Sequence, residues 1–201
     1  MFSGRPAPSE PKVRVAVTVT FLRMEEAPGP PTPELPPGYT LVRVAACSVP
    51  YYRYLYDTVG ADYVWWLRRT APDTELASLL ASPDLSIHVL MHGNEPAGFF
   101  EIEARQRPVV NLSYFGLMPY AIGRGVGPTF LRAAIETAWR GGVETIESSG
   151  TRAVTVNTCT ADHPRALPAY LRAGFVRKRE LREIWDIPLR LGMKIPDHLR
   201  V

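Results

Sequence analysis

Three glycines at alternate positions, Gly123, Gly125 and Gly127, punctuate the sequence YAIGRGVGPTF, with Arg124 between the first two. Glycine lets a backbone curl tightly and leaves room for another molecule to approach the main chain. After the turn, Phe130, Leu131, Ala134, Ile135 and Ala138 recur at three- and four-residue steps. That spacing predicts an amphipathic helix from Pro128, a residue suited to a first helical turn. The opening N–H groups of a helix lack partners within it, and with the helix dipole they favour an anion there. Arg124 adds a full positive charge. Two readings stand side by side: a pyrophosphate cradle, or a tight strand-to-helix connection with no ligand. Spacing excludes two familiar phosphate loops. The Walker loop needs a Gly-Lys-Ser/Thr ending that is absent, and G-x-G-x-x-G fails because Pro128 or Phe130 stands where the third glycine belongs.

The elements that must position this turn follow from pattern. Residues 109–118 are mostly apolar, aromatic or β-branched and read as a strand covered on both faces. Residues 13–24 form a β-branched strand, and the prolines of 28–37 predict a stiff polyproline II connection. A strand over 39–47 is expected beside the first. A helix over 50–59, ended near Gly60, would carry Tyr51, Leu55 and Thr58 or Val59 along one side. A short helix follows, capped by Asp73 or Thr74, with Leu76, Leu79 and Leu80 as its buried stripe. Residues 85–104 predict a hairpin turning at 92–95. Beyond the central helix come a loop, a strand over 151–159, a helix from His163-Pro164 through Arg172 stopped by Gly174, and a final strand or hairpin. This order gives an α+β fold: a mostly antiparallel mixed sheet, parallel around the glycine turn and flanked by helices.

Aromatic residues crowd between 50 and 69, with Asp57 and Asp62 among them. They suit either the wall of a small-molecule pocket or a bulky core. The 201 residues, 46% hydrophobic, support one domain over 13–201 after a disordered tail, 1–12. A net charge of +3 is too small to argue for nucleic acid. Cys47 and Cys159 are too few for a disulfide framework or a zinc cluster, and Cys159 reads as a buried thiol before a reactive one. His88 reads as a solvent-facing strand residue and His92 as a turn residue, so no metal site is expected. No apolar run reaches membrane-spanning length and the N-terminus lacks a signal-peptide core, so a cytoplasmic location is the default expectation.

Leu117-Met118-Pro119 followed by Gly123-Arg124-Gly125-Val126-Gly127 resembles motif A of the GNAT superfamily of acyl-CoA-dependent N-acyltransferases, a strand ending in V-x-P and then Q/R-x-x-G-x-G/A opening a helix. Ala166, Tyr170, Gly174 and Phe175 in HPRALPAYLRAGF are similar to the family's N-x-x-A-x-x-x-Y-x-x-x-G-F segment. The resemblance implies acetyl-CoA (coenzyme A) as cofactor, with Gly123, Arg124, Gly125, Val126, Gly127 and Thr129 at its pyrophosphate and His163 in place of the family asparagine. It implies that the 109–118 and 151–159 strands splay, opening Phe115, Gly116 and Leu117 to the pantetheine arm, Gly116 permitting close approach. Tyr170 matches the family tyrosine that assists the departing thiolate. Glu101 is the preferred base, with Glu103, Asp162 and His163 as alternatives. Tyr54, Asp57, Trp65 and Trp66 would form the acceptor wall. Two positions depart from the pattern: Ile122 replaces the Gln or Arg that steadies the turn, and Pro128 removes an N–H. The implied activity is transfer of an acetyl group to a primary amine of a small molecule by direct attack in a ternary complex. A non-catalytic sensor or partner-binding domain of the same fold is the alternative, and a homodimer is left open.

Overall fold

Burial in the first strand changes phase along its length. In β1 (Lys12–Met24), Val15, Val17 and Val19 are buried toward one cluster, and Leu22 and Met24 toward another. Alternate residues point to opposite faces, so this strand serves the core on both sides of the sheet. The computed structural model describes residues 10–29, 34–141 and 150–201. Of the expected tail, 1–9 lie outside the described residues, as do 30–33 of the proline-rich connection and 142–149 of the loop, while Lys12 belongs to β1.

The chain continues through β2 (Tyr39–Val44), α1 (Val49–Val59), α2 (Leu67–Thr70), α3 (Asp73–Leu80), β3 (Leu85–His92), β4 (Glu95–Glu103), β5 (Val109–Leu117), α4 (Gly127–Arg140), β6 (Ala153–Cys159), α5 (Ala166–Arg172) and β7 (Val176–Pro188). The described strands form one sheet in the order β2-β3-β4-β5-β6-β1-β7. Its pairs are antiparallel except β5 with β6, giving the expected α+β arrangement. Successive residues of β4 show the layering. Phe99 packs with α1 and α3 on one face, and Phe100 with α4 and α5 on the other.

Several expectations are corrected. β2 lies at the far edge beside β3, because β1 is already flanked by β6 and β7. Of the described residues of this connection, the Gly29 carbonyl accepts from Arg132 of α4 and Leu35 joins the core. At the far edge the Tyr39 ring stacks on His92, 4.5 Å between centroids. In α1 the buried stripe is Tyr52, Leu55, Tyr56 and Val59: Leu55 and Val59 lie on it as expected, while Tyr52 and Tyr56 take the place of Tyr51. Both inward tyrosines find polar partners for their hydroxyls, so burial does not strand them. His88 is buried, stacked on Phe100 at 4.7 Å and bonded to Ser86 at 3.2 Å. Burial, then the nearby Arg43 charge, lowers its pKa to about 4. His163 precedes α5 instead of starting it, its Nδ1 accepting from the Arg165 N–H at 3.0 Å. The final segment is one long strand, held along β1.

Layer contact depends on Gly116 of β5. A β-carbon there would collide with Val59 at the end of α1. Gly116→Ala is therefore expected to destabilise the fold by about 1–3 kcal/mol, the range for overpacking a filled interior. Adding Val59→Ala should recover part of that loss in urea unfolding. An undiminished midpoint for Gly116→Ala alone would contradict this packing.

Candidate active site

Parallel pairing of β5 and β6 joins Val109–Leu112 to Ala153–Val156 and then stops. At that place the β4–β5 register shifts: Ile102 opposes Leu112 while Glu101 opposes Tyr114, so Ser113 is a bulged residue. A bulge bends its strand, and beyond it β5 leaves β6, whose end stays on β1. Met118 N–H bonds the Ala97 carbonyl at 2.8 Å, and the Gly116 carbonyl also faces β4. Strand alternation then directs the N–H and C=O groups of Phe115 and Leu117 into the opening. Their side chains pack toward α4, with Phe115 4.9 Å from Phe130.

At the end of β5, Pro119–Ala121 makes a single 3-10 turn, and the chain then curls through Gly123 (φ 81°) and Gly125 (φ 82°). Both angles are in the left-handed region that favours glycine. An added β-carbon at either would meet nothing within 4 Å, so the turn faces open space. Val126 anchors it, fully buried at the foot of α4. Among the described residues, the N–H groups of Gly123, Gly125, Val126, Gly127 and Thr129 have no backbone partner outside the helix, whereas Arg124 N–H bonds the Ala121 carbonyl. Pro128 falls in the first turn, where its missing N–H removes one donor. The Arg124 Nε donates to the Tyr120 carbonyl at 2.8 Å, which holds an exposed cation beside the turn. These free donors, the open surface and the charge fit a phosphate group.

Across the opening lie α5 and the end of β6. Tyr170 is buried against Phe175, ring centroids 5.9 Å apart, and no described residue hydrogen-bonds its hydroxyl. Burial, and then the Asp162 charge, pushes this phenol above its ordinary pKa. Asp162 accepts from Thr158 Oγ1 at 2.8 Å and Cys159 N–H at 2.9 Å, and from the Trp65 indole at 3.2 Å. Trp65 thus reaches from the α1–α2 segment to the β6 side. Gly60 makes that fold possible, since a β-carbon there would lie 2.5 Å from Trp65 Cβ. The Trp65 ring lies 5.3 Å from Tyr56 and 5.1 Å from Tyr114, and Tyr63 meets His163 at 6.0 Å. Cys159 remains a thiol, raised to about 12 by burial and Asp162.

Glu101 lies beneath this aromatic layer, 0% exposed. Arg68 Nη2 meets one carboxylate oxygen at 2.6 Å, and the Tyr52 hydroxyl donates to the other at 2.5 Å. Arg68 Nε also donates to Tyr52 at 3.2 Å, and the Arg68 main-chain N–H to the Tyr56 hydroxyl. Burial opposes the Arg68 charge most strongly, but Glu101, Tyr52 and Tyr114 together keep the pKa above its ordinary value. Burial, then the Glu101 charge, raises the Tyr52 phenol far above its own.

The proposed wall residues are divided. Trp65 reaches the opening, whereas Tyr54 is 49% exposed on the outer side of α1 beside Tyr51. Asp57 pairs with Arg69 at 2.9 Å, and Trp66 turns toward Trp185, 6.4 Å away. Sequence reasoning passed over Tyr114, Tyr56 and Arg68. Alternation within 109–118 could have found Tyr114, which shares a face with Gly116; nothing local marks Arg68, whose partner is far away in the chain.

Removing one member of a buried ion pair typically costs about 3–5 kcal/mol, because the other charge stays behind. Glu101→Leu should therefore destabilise the protein by that order, while Arg68→Met with Glu101→Leu should be markedly less costly. A double-mutant cycle by chemical denaturation checks this, and additive losses would contradict the coupling.

The model of the acetyltransferase (GNAT) family matches residues 52–175, well over half of the chain. Similar solved structures include a GCN5-related N-acetyltransferase from Sphaerobacter thermophilus, 18% identical over 89% of this chain and 53% of that one, with TM-score 0.57. A tandem GNAT protein from the clavulanic acid biosynthesis pathway is 16% identical over 92% of this chain and 62% of that one, TM-score 0.60. An aminoglycoside acetyltransferase from an uncultured soil metagenomic sample, in complex with trehalose, is 18% identical over 68% of this chain and 88% of that one, TM-score 0.51. The chain thus spans between half and two thirds of the length of the first two. No curated protein matches it. At such identities the structures show the fold; the family match, with the split strands and glycine turn, shows that this chain belongs to the GNAT acetyltransferase family.

Proposed function

We propose that the protein is an acetyl-CoA-dependent N-acetyltransferase acting on a primary amine of a small molecule. The observation that carries this reading is the juxtaposition of unpaired main-chain groups at Phe115 and Leu117 with the donor-rich turn 123–129. Acetyl-CoA supplies an acyl group activated as a thioester. Gly123, Gly125, Val126, Gly127 and Thr129 would hold the phosphates through main-chain N–H groups, with Arg124 as countercharge. Phe115 and Leu117 would pair with the amides of the arm, and Gly116 between them keeps α1 close. Tyr170, whose hydroxyl has no protein partner among the described residues, would donate to the developing sulfur anion. Trp65, Tyr56 and Tyr114 would shape the acceptor side, with Tyr63 and His163 at its rim. This enclosed aromatic wall favours a small acceptor. Tyr54, Asp57 and Trp66 lie outside this wall and have no role in it.

Glu101 enters this reading as the group that positions Arg68 and Tyr52, because both of its oxygens are already held. The amine proton would leave through solvent at the opening. No described helix is long and apolar enough to cross a membrane. Ile122 and Pro128, which leave the turn without two family donors, favour the second reading of a non-catalytic ligand-binding domain.

Coenzyme A at a hundredfold excess over its dissociation constant should stabilise the protein by about 2.7 kcal/mol, visible as a raised Tm. Gly125→Val, strained at positive φ and projecting into the cradle, should abolish that shift. Binding without turnover across an amine panel would select the non-catalytic reading, and no shift at millimolar coenzyme A would reject both.

Tyr170→Phe should lower kcat at least about tenfold with little change in KM for acetyl-CoA, as for a group used mainly in the transition state. Because its pKa is raised, Tyr170 stays protonated through neutral and mildly alkaline pH and adds no descending limb there. An equal loss in kcat and binding, or an alkaline limb that disappears in Tyr170→Phe, would contradict this role.

A further inference from the structure

β7 is the outermost strand beside β1, and its outward edge is unpaired among the described residues. A long free edge is a template for another strand, and proteins that avoid such pairing place charged side chains, proline or bulges there, so the charges of β7 admit a second strand only where they meet opposite ones. The bulge in β7 falls at Lys178, where Arg179 opposes Phe21 but Arg177 opposes Leu22. From Arg179 onward the pairing with β1 is regular, with no proline before Pro188. Leu181 and Ile184 are 42% and 51% exposed.

The charges along this edge are ordered Arg179, Glu180, Leu181, Arg182, Glu183. If two copies pair antiparallel about a two-fold axis perpendicular to the sheet, one residue must oppose its own copy. Residues equally distant from it on either side then face one another. With Leu181 on the axis, Glu180 faces Arg182 of the second copy and Arg179 faces Glu183, each pair occurring twice. Moving the axis to Arg179, Glu180, Arg182 or Glu183 sets that charge against itself. Centring on Ile184 also avoids like charges, but it offers only Arg182 to Asp186, whose carboxylate already holds Lys12 and Arg14, so the Leu181 register gives the most opposite-charge pairs. Arg182 has no ion-pair partner among the described residues, and Arg179 lies over the Phe21 ring at 4.4 Å. Glu180 holds Thr20 at 3.0 Å and Arg177 at 3.6 Å, and Glu183 accepts only from the Trp185 indole at 2.8 Å.

We infer that β7 is a homodimer interface in which two copies of this chain join edge to edge about Leu181, making one continuous sheet. Opposed side chains in such a pair lie within direct contact distance, so the charge order favours the Leu181 register over the others.

Sedimentation equilibrium of the full chain at micromolar concentration should show a dimer. Arg179→Glu with Arg182→Glu, and separately Glu180→Arg with Glu183→Arg, should each weaken association at least about tenfold, since every cross-strand pair becomes repulsive. Mixed in equal amounts, the two variants should form a heterodimer, which also shows that both are folded. Leu181→Cys should give an interchain disulfide on mild oxidation that the parent chain does not form. A monomeric parent, a dimer retained by both charge variants, variants that do not associate when mixed, or no crosslink at Leu181→Cys would each overturn the proposal.

Discussion

A main-chain group inside a folded protein must find a partner, and β5 loses its neighbour on one side after Leu112. The bulge at Ser113 turns the strand away, while β6 keeps its place on β1. What remains is a slot lined by peptide groups, closed at one end by residual pairing and open beside the glycine turn. Much else in the molecule maintains that slot. Asp162 ties the end of β6 to its loop and reaches Trp65 on the other side. Gly60 lets the α1–α2 segment fold back on itself at Trp65, and Gly116 removes the β-carbon that would push Val59 of α1 off the sheet.

The polar groups under the aromatic layer answer a related constraint. Tyr52, Tyr56 and Tyr114 are large enough to fill the space between α1 and the sheet, but their hydroxyls cannot be buried without partners. Glu101 accepts from Tyr52, the Arg68 N–H donates to Tyr56, and the Tyr56 hydroxyl donates in turn to Tyr114, so a carboxylate on a central strand is tolerated where water is excluded. Such a network fixes rings in place more than it adds stability, because desolvation offsets much of the attraction. The aromatic wall is consequently set by contacts made well below its surface.

The sheet, the parallel pair around the turn and most element positions were legible because they rest on local pattern: the β-branched run of β1, the alternation through Ile87, Val89 and Met91 in β3, glycine and proline punctuation, and the stripe of α4. The placement of β2 was not, since it depends on both flanks of β1 being taken by strands distant in sequence. His88 looked solvent-facing for the same reason; its cover comes from Phe100 on another strand. At the site, the glycine turn could be found from spacing and Tyr170 from the resemblance to the family's A-x-x-x-Y-x-x-x-G-F segment. The separation of Trp65 from Trp66 could not, because a short irregular segment sends adjacent rings to different clusters. Nor could the environment of Glu101, whose partners lie on α1 and α2.

The central claim is that the peptide groups left free by the split strands, together with those of the glycine turn, bind coenzyme A. Amide shifts in a nitrogen-15-labelled sample during titration with coenzyme A test it directly. The account predicts the largest changes, saturating together, at Phe115, Leu117, Gly123, Gly125, Val126, Gly127 and Thr129. Saturable changes confined to another region, with these amides unmoved, would contradict it.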